Sequence, residues 1–136
     1  MLKNLWNIGA KVMNLEAELG FFQRLGAQPI LREKLAGDDS GAEYAIVSLG
    51  GARLSLFPQV MFEDRVAGGV APGLTHVVYE TDDVEKAFER LQAAGGEVLI
   101  EPTFARGGFG SRRLAFLRSP GGVVIEVMQV LEDKLG

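Results

Sequence analysis

Two residues hold most of this chain's capacity for chemistry, His76 and Glu126. His76 is the sole histidine, and it stands in the extended-looking run Thr75-His76-Val77-Val78-Tyr79. A lone histidine on a strand is more often a hydrogen-bonded core residue than a ligand, so residue type alone gives it no role. Glu126 is flanked by Val123, Val124, Ile125 and Val127. A carboxylate in such a buried strand costs several kcal/mol unless it is paired or bound. Glu126 is therefore expected to face a cleft, the alternative being that it is the exposed member of an edge strand. Strand alternation groups Glu80 with His76, Met128 with Glu126, Lys11 with Asn7 and Arg53 with Ser55. On a concave face Lys11 and Arg53 would bring positive charge to a ligand and Glu80 a counter-charge. The alternative is that they pair or reach solvent at the rim, which suits Lys11 and Glu80 better. The segment 106–112 has three glycines, Phe109 and the arginines Arg106 and Arg112. It does not open a helix, so it is not a dinucleotide phosphate loop. It reads as a flexible hairpin loop, or as a lid in which Phe109 stacks on a ligand and an arginine meets an anion.

Composition narrows the partners. Apolar residues make up 47% of the 136, charged residues 24%, and the net charge is -4 without a block of one sign. That is the balance of a globular domain, and 136 residues suit a single one, residues 1–136. No basic patch is present to favour nucleic acid or a membrane surface. The absence of cysteine excludes disulfides and thiolate metal sites. Residues 1–15 lack an unbroken apolar core and a cleavage site, and no run is long enough to span a bilayer, so the expected location is cytoplasmic.

The elements that must position these residues come in two copies. Residues 7–30 align with 76–99 at a shift of 69, and 50–56 align with 121–127 at a shift of 71. Strands are expected at 6–12, 29–35, 44–49 and 52–58, with a helix from 14 or 15 to about 25. Gly50-Gly51 marks a tight hairpin, and Asp38-Asp39 a solvated turn. The second copy repeats the order: strand 75–80, helix 83–94, strand 97–100, loop, strand 112–118, the turn Ser119-Pro120-Gly121-Gly122 and strand 123–130. Asn14 and Asp82 or Asp83 are expected helix caps. Phe21, Phe22 and Phe88 follow helical spacing as core residues, and Trp6, opposite Asn7, is expected beneath the first helix. The fold class is thus α+β: tandem βαβββ modules, 1–59 and 73–132, joined by a linker at 60–72 and forming a curved mixed sheet around a cleft.

The two strand-helix openings, around Asn7 and around His76-Val-Val-Tyr-Glu-Thr-Asp-Asp83, and the closing Ser119-Pro-Gly-Gly-Val-Val-Ile-Glu126-Val resemble the vicinal oxygen chelate superfamily. This group holds glyoxalases, extradiol dioxygenases, methylmalonyl-CoA epimerases and bleomycin- or fosfomycin-resistance proteins. The resemblance spans nearly the whole chain. It implies metal ligands on the first and last strand of each module, which here are Asn7 and Ser55, His76 and Glu126. His76 and Glu126 match the ligand types of the family. Asn7 stands where His, Gln or Glu is usual, Ser55 where Glu or Gln is usual, and Ser119 where Asp commonly precedes the proline.

Two functions follow from the resemblance. In the first, one divalent metal (Fe, Mn, Zn or Ni) on His76, Glu126 and Asn7 polarises two vicinal oxygens of a small substrate. Glu126 is then the catalytic base of a lyase, isomerase or dioxygenase reaction. In the second, a metal-free cleft binds a small molecule or antibiotic through Arg53, Ser55, Phe57 and Phe109. Exposed sheet edges favour a homodimer, with the modules paired either within one chain or across two.

Overall fold

The computed structural model describes residues 1–36 and 40–135. Asp38 and Asp39 lie outside the described residues. Two copies of a strand-helix-three-strand unit follow one another. The first is β1 (Leu2–Lys11), α1 (Leu15–Arg24), β2 (Gln28–Lys34), β3 (Glu43–Leu49) and β4 (Ala52–Phe57). The second is β5 (Gly73–Thr81), α2 (Val84–Ala93), β6 (Glu97–Gly107), β7 (Gly110–Arg118) and β8 (Val124–Asp133). A short 3-10 turn, Glu63–Arg65, lies in the connection. Neither helix is long and apolar enough to cross a membrane.

The copies match in their end chemistry. Asn14 accepts from the Ala17 amide (3.0 Å) to start α1, and Asp83 accepts from the Lys86 amide (3.1 Å) to start α2. Each helix stops at a glycine of positive φ, Gly26 at 99° and Gly95 at 107°. The next amide then reaches back to Phe22 O (2.9 Å) or Leu91 O (2.9 Å).

All eight strands form one sheet in the order β2-β3-β4-β1-β5-β8-β7-β6. It curls into a half-barrel, and the modules meet within one chain where β1 and β5 run antiparallel. In each module the first and last strands are parallel neighbours. Gly9 pairs with Ser55 and Val78 with Glu126, which are equivalent positions under the shifts of 69 and 71. The positions that a small-molecule site would use thus lie on four adjacent central strands.

Three apolar clusters hold this shape. Under α1, Leu19 packs on Val12, Ala45, Val47 and Leu56, with Leu15 and Phe22 alongside. Under α2, Val84 and Ala87 pack on Ala115 and Val127, with Phe88 and Leu91 alongside. Phe21, expected in the core, is half exposed and meets Phe22 edge-on. The third cluster was not foreseen. Val60 and Phe62 of the connection pack on Leu99, Leu114, Phe116 and Val124.

Two further expectations are corrected. Strand β6 does not end at residue 100 but pairs with β7 as far as Gly107, so the glycine-rich segment is a tight turn at Gly108-Phe109 and not a long loop. Pro102 permits this because it sits on an edge strand at a register irregularity, where its missing N–H breaks no ladder bond. Trp6 does not lie beneath α1. The β1–β5 register slips between Leu5 and Asn7, and this bulge turns Trp6 and Asn7 alike toward the cleft.

Glu63 fastens the connection. It accepts from Lys11 Nζ (2.9 Å) and from the amides of Val70 (2.8 Å) and Val60 (3.2 Å). Burial pushes its carboxyl up, but Lys11 and the two amides outweigh that and hold it below the ordinary carboxylate value. A depressed folded-state value contributes stability above the unfolded value, and that stability is lost as pH falls through the folded one. Glu63→Gln should therefore cost about 1–3 kcal/mol at pH 7 and progressively less below pH ~4, read from urea midpoints along a pH series. Equal losses at both ends of the series would remove the ionic role.

Candidate functional site

The sheet encloses an open cleft of about 880 Å³. Its polar end is built from the four central strands. Asn7 of β1 donates through Nδ2 to Ser55 Oγ of β4 at 2.6 Å. The other amide atom, Asn7 Oδ1, is buried without a hydrogen-bond partner among the described residues. His76 of β5 is buried between the rings of Phe62 (5.5 Å) and Phe116 (5.4 Å), each met edge-on. Its Nδ1 lies 2.9 Å from Thr75 Oγ1. When Nδ1–H donates to that hydroxyl, Nε2 presents a lone pair to Glu126 Oε1, 3.5 Å away on β8. Glu126 is only 9% exposed, and His76 is its one ion-pair partner among the described residues.

Gly9 seats the imidazole. It pairs with His76 across the β1–β5 seam, and a Cβ built there would stand 2.1 Å from His76 Cε1. No larger residue fits while the ring keeps its place.

The other end is aromatic and cationic. Tyr44 and Phe57 stack at 5.1 Å with their planes 9° apart. Arg112 of β7 is 2% exposed, and its guanidinium lies over the rings of Trp6 (5.5 Å) and Phe109 (5.1 Å). Burial pushes the Arg112 guanidinium down from its ordinary value, against Asp133 and Glu80. At the rim Glu33 of β2 accepts the Tyr44 hydroxyl (2.7 Å) and the Gly108 amide (2.8 Å), which joins one end of the sheet to the β6–β7 turn. Burial, and then the Glu33 carboxylate, raise the Tyr44 hydroxyl well above its ordinary value, so it stays a donor.

Most of the residues expected at a site meet here. Asn7, Ser55, Phe57, His76, Phe109 and Glu126 all line the cleft. Arg53 is not among the lining residues. It lies 4.4 Å over Trp6 and donates to the Trp6 carbonyl oxygen (3.3 Å), supporting that ring from behind. Lys11 is held by Glu63 and Val70 O, and Glu80 is 4.0 Å from Lys3 Nζ. Phe62, Tyr44 and Glu33 were missed. Phe62 lies in a connection with no periodicity, while Tyr44 and Glu33 meet the site only through the curl of the sheet.

The Glyoxalase/Bleomycin resistance protein/Dioxygenase superfamily model matches residues 7–127, and the chain belongs to that superfamily. It is 26% identical over 120 residues to a lactoylglutathione lyase of Arabidopsis thaliana, covering 88% of this chain and 41% of that protein. The chain thus spans about two fifths of the plant relative's length. A probable lactoylglutathione lyase of Vibrio cholerae is 26% identical over 125 residues, covering 88% of this chain and 85% of that one. The methylmalonyl-CoA epimerase of Streptomyces coelicolor has the same fold, with a TM-score of 0.72 at 22% identity over 97% of this chain and all (100%) of the other.

Gly9→Ala isolates the seating of the histidine. The chain has a single histidine, so its imidazole should give one set of NMR signals. The substitution should shift those signals and cost about 1–3 kcal/mol in urea unfolding through overpacking. Unchanged imidazole resonances would show that Gly9 does not set the position of the ring.

Proposed function

We propose that the cleft binds a small oxygen-rich molecule and that His76, Glu126 and Asn7 together hold one divalent cation against it. The observation that carries this reading is the meeting of three potential donors in one cleft, one of them a buried amide oxygen with no partner among the described residues. His76 Nε2 lies 3.5 Å from the buried Glu126 carboxylate, and Asn7 Oδ1 has no partner among the described residues. Imidazole nitrogen, carboxylate and amide oxygen suit a borderline ion such as Fe, Mn, Zn or Ni, and three protein donors leave positions for a ligand. Ser55 is the poorest donor of the four and is already bonded to Asn7.

Such a cation would polarise two vicinal oxygens and make an adjoining C–H acidic. The chain's own residues do the rest. Glu126 is the general base that takes and returns the proton. Phe62 and Phe116 hold the imidazole and exclude water, and Phe57 and Phe109 meet the apolar part of the ligand. The relatives' names, lactoylglutathione lyase and methylmalonyl-CoA epimerase, support a lyase or isomerase reaction, and the family also includes dioxygenases.

One observation favours a second reading, in which the cleft binds its ligand without metal. Among the described residues no three His, Cys, Asp or Glu side chains cluster closely enough to hold an ion, so the third ligand must be the neutral Asn7. Metal titration separates the two. At a hundredfold excess over its dissociation constant, a bound cation stabilises by about 2.7 kcal/mol, or roughly 10 °C in a chain of this size. Chelator-treated protein given Mn, Fe, Zn or Ni should take up one equivalent and melt higher by that order. His76→Ala and Glu126→Gln should abolish both effects. If the unmodified chain neither binds the ions nor melts higher, the metal-free reading replaces the first.

A further inference from the structure

Arg112 is a buried cation for which the proposed chemistry has no use. Its hydrogen bonds all leave from Nη1. Nη1 donates to Glu132 O (2.6 Å) and to Ser111 O (3.1 Å), while Nε and Nη2 are buried without hydrogen-bond partners among the described residues. Asp133 Oδ1 stands 3.6 Å from Nη2, beyond hydrogen-bond reach, and that oxygen already accepts from the Leu135 amide (3.0 Å). A buried charge with open donors is costly unless something arrives to fill them.

The open pair has a particular shape. Nε–H and the nearer N–H of Nη2 point the same way from one edge of a rigid plane, and this edge makes two parallel bonds to a carboxylate. Trp6 and Phe109 lie along the guanidinium, so a group bound there sits among aromatic rings. In the sheet Arg112 is four residues along β7 from Phe116, the neighbour of His76. By strand rise that separates the two backbones by roughly 13 Å.

We infer that Arg112 anchors a carboxylate of the ligand, so that the cleft selects small carboxylic acids with an apolar or aromatic body. This deepens the reading above. It rests on the cleft being the ligand site and not on the cation.

The test uses phenylpyruvate and its methyl ester, titrated calorimetrically into chelator-treated full-length protein, so that no cation contributes. The acid should bind about tenfold or more tightly than the ester, the ratio expected for charge-assisted bonds from one buried guanidinium. Arg112→Met should erase that ratio, and Arg112→Lys, which keeps the charge without the fork, should keep only part of it. Asp133→Asn guards against a misfolded Arg112 variant. It should leave the melting temperature near that of the unmodified chain and bind the acid as tightly or more so. Several results would overturn the inference: equal binding of acid and ester, no binding of either, or an Asp133→Asn variant as unstable as Arg112→Met with weakened acid binding. Phenyl phosphate binding tenfold more tightly than phenylpyruvate would reject the carboxylate assignment. None of these outcomes touches the metal titration, so the two readings fail separately.

Discussion

The antiparallel pairing of β1 with β5 is the constraint from which the site follows. Each βαβββ module covers one face of its strands with a helix and must bury the other face elsewhere. Joining the modules through their first strands makes one curled sheet whose inner face is shared. Because each first strand is also parallel to its own last strand, the seam gathers β4, β1, β5 and β8 at the centre. Asn7, Ser55, His76 and Glu126 come from separate strands, yet all line the same cleft. The seam also makes Gly9 the residue opposite His76, which clears the space for the imidazole.

Burial then decides which polar groups matter. A carboxylate, an imidazole and a guanidinium all stand inside a wall of Phe62, Phe116, Trp6 and Phe109. Polar groups kept there without partners destabilise the fold by kcal/mol amounts, which packing elsewhere must offset. The helix-backed clusters are the source of that surplus, since fully burying a Val or Leu side chain contributes about 1.5–3 kcal/mol. Asn7 Oδ1 and the Arg112 donors are the groups that the proposed ligand and cation would satisfy.

Much of this could be read from the chain itself. Periodicity and caps placed both helices within a residue or so, because amphipathic spacing, Asn14, Asp83 and the terminal glycines act locally. The repeat shifts of 69 and 71 reappear as strand register. What escaped depends on distant parts of the fold. Trp6 was assigned to the wrong side because strict alternation has no means of foreseeing a bulge. Strand β6 was expected to end at residue 100, and its run on to Gly107 past Pro102 depends on the edge position, which only the sheet order defines. Arg53 passed as a cleft residue by alternation with Ser55, whereas stacking on Trp6 draws its guanidinium away. Phe62 had no local signal at all, and its place against His76 comes from Glu63 pinning the connection to Lys11.

The two modules share a scaffold but not a chemical state. In the first, Asn7 and Ser55 occupy the site positions and bond to each other, a neutral pair that leaves only one amide oxygen open. In the second, His76 and Glu126 face each other at 3.5 Å, an imidazole against a carboxylate. A symmetric duplication with four strong ligands would place its ion midway between the modules. Here the donors weigh toward the second module, and the first contributes shape, one neutral oxygen and the space left by Gly9. The aromatic end follows the same division, since Arg112 and Phe109 come from the second module while Trp6 and Phe57 supply rings from the first. Charge therefore gathers along β5, β7 and β8. On the proposed reading, a ligand that spans the cleft would be oriented chiefly by the second half of the chain, with the first half acting as the wall it rests against.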